Sequence, residues 1–311
     1  MSAGDTIYIL GAGAVGFPLA AYLAGAGRPV VAVRTSRADV APGTATITLD
    51  HGGELLRAAV ETVSLSRLSR LDGTVVVTAK AQANAAIAHE LEERRFTGPV
   101  VIMQNGLSVE QPFLATGFSP IYRCVLYITS QATGPGGFVF RPVTASPIGV
   151  VHGDGSALDQ VVEVLTTERF PFRAEVNIQR EVWKKAIINA VFNSICPLLD
   201  VDNGVFVRDA AVAALAREIV NECLALTERL GLALDEDELI EQILRISRGS
   251  EGQLISTLQD IRSGRQTEIE FLNLEIARIG AALEPRLQLP RTELLGKMIV
   301  ARSRLSSRRE R

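Results

Sequence analysis

The run IYILGAGAVG, with FPLAAYLAGAG behind it, constrains this chain more than any other stretch. A short apolar run that reads as a strand ends at Gly11, and Gly13 and Gly16 follow at GxGxxG spacing ahead of an Ala- and Leu-rich helical run. That strand-to-helix setting is what the dinucleotide fingerprint requires. Gly11 permits the tight turn, Gly13 lets the backbone approach a pyrophosphate, and Gly16 lets the helix pack on the strand. The first helical N–H groups then face the phosphates. Gly11, Ala12, Gly13, Ala14, Val15 and Gly16 are therefore the candidate cofactor-binding loop.

From Thr6 to about Val151, apolar runs (IYIL, PVVAV, VVVTA, PVVIM) alternate with Ala-rich helical stretches, the pattern of a parallel sheet covered by helices. From about Tyr127 the helical stretches give way to LYITSQA, GFVFRP and PIGVV, interrupted by GPGG, which read as antiparallel strands closing that domain. Beyond Arg180 only helical periodicity remains. With 311 residues, 47% of them hydrophobic, the chain can build two cores. The expected fold is α/β, a Rossmann domain over residues 1–177 followed by a mostly helical domain over 178–311.

The rest of the sequence removes whole classes of function. Net charge is −3 and no basic stripe is interleaved with aromatics, so no nucleic-acid partner is expected. No apolar run reaches the roughly 18 residues that span a bilayer, and the start MSAGDTIYIL lacks a basic leader segment. A soluble, cytoplasmic protein without membrane partners is the expectation. Cys124, Cys196 and Cys223 are odd in number and sit among apolar neighbours, as buried thiols do. His51, His89 and His152 show no metal-ligand spacing. No metal is expected, and any acid or base must be Lys, Asp or Glu. The arginines near the end, Arg302, Arg304, Arg308 and Arg309, read as a frayed solvated terminus rather than an anion-binding tail.

The run PVVAV ends in Arg34-Thr35-Ser36-Arg37, where an NAD enzyme usually carries an acidic residue for the ribose 2′-hydroxyl. Arg34 can grip a 2′-phosphate with two parallel charge-assisted bonds, and the next three residues offer further donors, so NADP(H) is the expected cofactor. Lys80 and Asn105 each follow an apolar strand at the carboxyl edge where ligands of such sheets gather, and Gly106 frees the turn after Asn105. Lys185, Asn189 and Asn193 recur every four residues, one polar stripe on an otherwise apolar helix. Buried without partners these groups would be costly, so the stripe is expected to face a polar cavity. Thr267 and Glu270 have capping-box spacing, which places Glu268 in the first turn of a new helix. There the helix dipole favours its ionised form.

In this order the motifs resemble the ketopantoate reductase family over nearly the whole chain: GAGAVG, Arg34, TAK at Lys80, QNG at Asn105, WKKAIINAVFNSICPLLDVDNG, and STLQDIRSGRQTEIEFLN. The resemblance implies a helical domain like that of 6-phosphogluconate dehydrogenase and reduction of a small 2-keto acid by NADPH. It places the catalytic lysine on Lys185, leaving Lys184 incidental, and a partner carboxylate on Glu268. It implies substrate-binding roles for Asn189, Asn193, Asn203 and Ser256, and cofactor-binding or site-lining roles for Lys80 and Asn105. The chain departs from the family at LSVEQ after QNG, at Ala83 in place of a glutamine, and at Leu274 in place of a glycine. A reductase of another 2-keto acid and a non-catalytic NADP(H)-binding regulator are the alternatives. The long C-terminal helices either close a core or pair with a second subunit, a homodimer being preferred.

Overall fold

The computed structural model describes residues 6–35, 39 and 41–309, with side chains as far as residue 306. They form two compact units: one runs to Gln104 and resumes over Val109–Ile178, and the other comprises Asn105–Ser108 and Gln179 onward.

At the centre of the first unit are β1 (Thr6–Leu10), β2 (Val30–Arg34), β5 (Gly73–Val77), β6 (Val100–Ile102) and β7 (Ile121–Cys124). They lie in the order β2-β1-β5-β6-β7, and every neighbouring pair is parallel. Val75, Val76 and Val77 and all of β6 are buried, the continuous apolar reading expected of strands covered on both faces. The helices of this unit are α1 (Gly16–Gly25), α2 (Asn84–Glu93), α3 (Gln111–Ala115) and α4 (Leu158–Leu165).

Where a helix would ordinarily connect β2 to β5, the chain instead makes a long hairpin, β3 (Gly43–His51) and β4 (Glu54–Ser64). Gly52 and Gly53, at φ +67° and +95°, form its two-residue turn, a conformation that strands of right-handed twist favour. Its signal, TATITLD and LLRAAVETV about HGG, lacks the 3.6-residue period and falls outside the alternation expected for residues 6–151. β8 (Ile128–Gly134), β9 (Gly137–Pro142) and β10 (Ser146–His152) are the antiparallel strands expected there, and β11 (Phe172–Ala174) pairs parallel with β10. The described strands make one sheet in the order β11-β10-β7-β6-β5-β1-β2-β4-β3-β9-β8.

The second unit is helical: α5 (Ile178–Leu199), α6 (Val205–Arg208), α7 (Ala210–Arg229), α8 (Glu236–Gly249), α9 (Ser256–Arg262), α10 (Asn273–Ala281) and α11 (Pro290–Arg309). Val182, Trp183, Ile187, Val191, Phe192 and Ile195 of α5 are all buried, and a helix apolar around most of its girth is a core element. Asp209 caps α7 by accepting from the amides of Ala211 and Val212 at 2.8 and 3.1 Å, and Asp235 caps α8 through Glu238 N at 2.8 Å.

Two expectations are corrected here. No helix begins at Thr267: Glu268 precedes a 3-10 turn, Ile269–Phe271, and makes no side-chain cap, while α10 starts only at Asn273. Ile269 and Leu272 are both buried in a cluster with Ile261 and Ile299, and the three-residue period of a 3-10 turn puts both on one side. The C-terminal arginines do not trail from a frayed end, because α11 runs through Arg309 and Arg302 is held by the Pro197 carbonyl and by Asp200 at 3.0 Å. The side chains of Arg308 and Arg309 lie outside the described residues. No helix among the described residues is long and apolar enough to cross a membrane, and no cluster of His, Cys, Asp and Glu among them could hold a metal. Cys124, Cys196 and Cys223 are buried and none is in a disulfide.

Candidate active site

The glycine loop joins β1 to α1, and its three glycines are constrained in three different ways. Gly11 has φ +126°, and a side chain there would overlap the backbone of Ala79. A side chain at Gly16 would overlap the Gly11 carbonyl and lie 2.7 Å from the Thr78 hydroxyl. Gly13 is the exception: a Cβ there meets nothing within 4 Å. Packing within the chain thus requires glycine at 11 and 16 but not at 13, and the space over Gly13 is what an approaching phosphate needs. The loop is braced by the Thr78 hydroxyl, which donates to the Gly11 carbonyl at 2.8 Å, and by the Ser130 hydroxyl, which donates to the Ala14 carbonyl. Ala12 and Val15 are packed against the core at the loop's base.

Arg34 is the last residue of β2. Its guanidinium carbon lies 5.9 Å from the centroid of the Phe17 ring on α1, and its Nε is buried with no hydrogen-bond partner among the described residues. A buried, unmatched N–H on a permanent cation calls for an anionic acceptor. Thr35 follows β2, half-buried, and Ser36 and Arg37 lie outside the described residues. Lys80 is exposed just past the end of β5, immediately before a 3-10 turn over Ala81–Ala83. Arg34 and Lys80 thus both stand at the carboxyl ends of their strands.

Asn105 follows β6 in sequence but belongs to the helical unit. Gly106, at φ +97°, lies so near Phe271 that a Cβ would come within 2.6 Å of the Phe271 Cβ, and the Leu107 amide donates to the Phe271 carbonyl at 2.8 Å. The Phe271 amide donates in turn to the Glu268 carbonyl at 3.0 Å, so the Asn105 segment packs on the turn that Glu268 opens.

On α5, Lys185 and Asn189 are half-buried and Asn193 is 3% exposed. The Asn193 amide donates to the Asn189 carbonyl at 3.0 Å, and its oxygen accepts from Thr257 at 2.7 Å and, at the long limit of 3.4 Å, from Ser256. The structure therefore brings Asn193 and Ser256 together, with Ser256 exposed at the start of α9. Lys184 is not incidental: it is 7% exposed and ion-paired with Glu238 of α8.

Asn203 is 7% exposed and its backbone is fully engaged, the amide donating to the Gln253 carbonyl at 2.9 Å and the carbonyl accepting from Ser247 at 2.8 Å. Its side-chain oxygen is buried with no hydrogen-bond partner among the described residues. Asp202 fixes the loop through the amides of Gly204 and Gly252 at 2.9 and 3.1 Å, and its hydrogen bond with Arg208 holds its carboxyl below the usual range. Sequence reasoning missed Thr78, Ser130, Thr257 and Asp202. Only Asp202, in the DNG turn, carried a local signal.

Comparison with known proteins closes the case for the family. The model for "Ketopantoate reductase PanE/ApbA" matches residues 7–150, and that for its C-terminal part matches residues 177–303. A 2-dehydropantoate 2-reductase of Archaeoglobus fulgidus is 28% identical over 88% of this chain and 90% of its own length. One from Pyrococcus horikoshii is 27% identical over 96% and 98%. The structure of a PanE/ApbA family ketopantoate reductase from Ralstonia eutropha superposes with a TM-score of 0.83 at 22% identity, covering 97% of this chain and 99% of that one. A D-mandelate dehydrogenase solved with NADH and anilino(oxo)acetate superposes at 0.82 and 20% identity, with the same coverage. Two family models that together span most of the sequence place this chain in the ketopantoate reductase family of oxidoreductases.

Proposed function

We propose that the protein reduces 2-dehydropantoate (ketopantoate) to pantoate with NADPH, residues 1–177 holding the dinucleotide and residues 178–311 carrying the substrate and the acid. The observation that carries this reading is the Arg34 guanidinium at the carboxyl end of β2, in a unit whose Gly13 faces open space. Gly11 to Gly16 offer backbone amides to the pyrophosphate, Arg34 takes the 2′-phosphate, and Lys80 adds positive charge at the same sheet edge.

Bound NADPH supplies the hydride. As negative charge grows on the substrate's keto oxygen, the Lys185 ammonium stabilises it and donates its proton. Glu268 orients the emerging hydroxyl. Asn189, Asn193, Asn203 and Ser256 bind the substrate's hydroxyl and carboxylate, with the Asn203 side-chain oxygen as a hydrogen-bond acceptor for a substrate hydroxyl. Asn105, on the segment that packs against the turn Glu268 opens, lines the site. The Staphylococcus aureus neighbour is described as a dimeric ketopantoate reductase, and this chain is proposed to form a homodimer as well.

The test is NADPH oxidation across a panel of 2-keto acids, with ketopantoate expected to give the highest kcat/KM. Lys185→Ala should lower kcat at least roughly 10²-fold while NADPH still binds. Bound NADPH with no turnover of any keto acid would overturn the reading and favour a regulator. A second reading, reduction of a bulkier 2-keto acid, draws support from the fold shared with D-mandelate dehydrogenase, and an aryl 2-keto acid in the panel separates the two.

A further inference from the structure

Beneath the carboxyl edge of β5 and β6 in the first unit lies a pair of buried amides that no part of the proposed chemistry uses. Asn84, the first residue of α2, is 1% exposed, and Gln104, just past β6, is 6% exposed. They bond reciprocally: Asn84 Nδ2 donates to Gln104 Oε1 at 2.7 Å, and Gln104 Nε2 donates to Asn84 Oδ1 at 2.7 Å. The second hydrogen of each amide is also used. Gln104 Nε2 donates to the Ala79 carbonyl at 2.6 Å, and Asn84 Nδ2 donates to the Val109 carbonyl at 2.7 Å. Both NH₂ groups are thus saturated, and each amide oxygen accepts from the partner.

What these bonds reach gives the pair its meaning. Ala79 is the residue whose backbone lies against Gly11 and which directly precedes Lys80. Gln104 and Val109 are the two residues that flank Asn105–Ser108, so Asn84 holds both ends of the segment that carries Asn105. The Gln104 carbonyl is fixed further by Arg123 Nη2 at 3.3 Å, and Arg123, itself 3% exposed, pairs with Glu110 at 2.7 Å. The two amides use every N–H they have on buried acceptors, and a missing member leaves another buried group unmatched.

We propose that the Asn84–Gln104 amide pair is a positioning clamp for the dinucleotide: it fixes Ala79 and Lys80 beside the glycine loop and sets the two ends of the Asn105 segment. Neither residue touches the cofactor. The proposal rests on the reading that the first unit binds NADP(H).

The test measures Kd for NADPH calorimetrically, together with kcat and both KM values, on the wild type, Gln104→Met, Asn84→Leu, the double variant and the milder Asn84→Ser. Each single variant is expected to weaken NADPH binding about tenfold and to raise the NADPH KM in step, with kcat held within roughly threefold. The double variant should be no worse than the weaker-binding single, since two halves of one clamp are not additive. Should Asn84→Leu fail to fold, Asn84→Ser and Gln104→Met carry the test. Folded variants with a lowered Tm but wild-type Kd for NADPH would overturn the clamp while leaving the cofactor assignment intact. A wild type that does not bind NADPH would overturn both.

Discussion

Gly13→Ala separates what the fold needs from what the ligand needs. A methyl group at this position meets no atom within 4 Å, and Gly13 is not among the glycines with positive φ. Its amide donates to the Gly11 carbonyl at 2.9 Å and its carbonyl accepts from the Phe17 amide at 3.0 Å, and neither bond involves the new methyl. The unliganded protein should therefore keep its Tm or gain slightly, since replacing a compatible glycine stabilises by about 0.4–1 kcal/mol. The bound state differs. A phosphate oxygen that sits about 2.9 Å from an amide nitrogen must stay roughly 3.5 Å or more from a methyl carbon. The displacement costs one or two charge-assisted hydrogen bonds, about 2–4 kcal/mol in all, or roughly 30- to 1000-fold in Kd. Calorimetric titration with NADPH beside a thermal melt measures both quantities. An unchanged Kd would mean that no phosphate approaches Gly13, and a lowered Tm would refute the claim that its space is free.

Arg34→Ala should weaken NADPH binding by about 10- to 100-fold and leave NADH nearly unaffected, because only the former carries the 2′-phosphate; equal losses in a paired titration would remove that role from Arg34. Lys184→Met should keep kcat and cost about 1 kcal/mol in urea unfolding, since the partner Glu238 is 43% exposed and retains Arg180 at 3.2 Å. Burial pushes the Cys196 and Cys223 thiols up to about 12, so native protein should not react with a disulfide reagent at pH 8. These thiols stay protonated in the fold but ionise near pH 9 once unfolded, so their contribution to stability is complete below about pH 9 and fades as pH rises towards 12. Stability measured over that range should fall less steeply for Cys223→Ala than for the wild type.

Much of this was legible because it is written locally. The glycine loop announces itself through backbone demands on adjacent residues, and the antiparallel strands after Tyr127 through alternation and GPGG. The α/β-then-helical order follows from a change of hydrophobic period near Arg180. The hairpin of β3 and β4 falls outside the strand–helix alternation expected over this part of the chain, and only the Gly52-Gly53 turn marks it. Glu268 was placed on a helix by a capping-box spacing that the burial of Ile269 and Leu272 overrides. Lys184 looked redundant beside Lys185 because its partner, Glu238, lies 54 residues further along. The Asn84–Gln104 pair has no local signature at all, since two amides 20 residues apart gain meaning only when the sheet aligns them.

The four residues from Asn105 to Ser108 make the molecule's halves inseparable by a single cut. A gene fragment ending near residue 178 would encode Leu107 without the Phe271 carbonyl that receives its amide, and the complementary fragment would lack the glycine on which Phe271 rests. Descent by exchange of C-terminal halves would carry a mismatched seam unless this short patch travelled too.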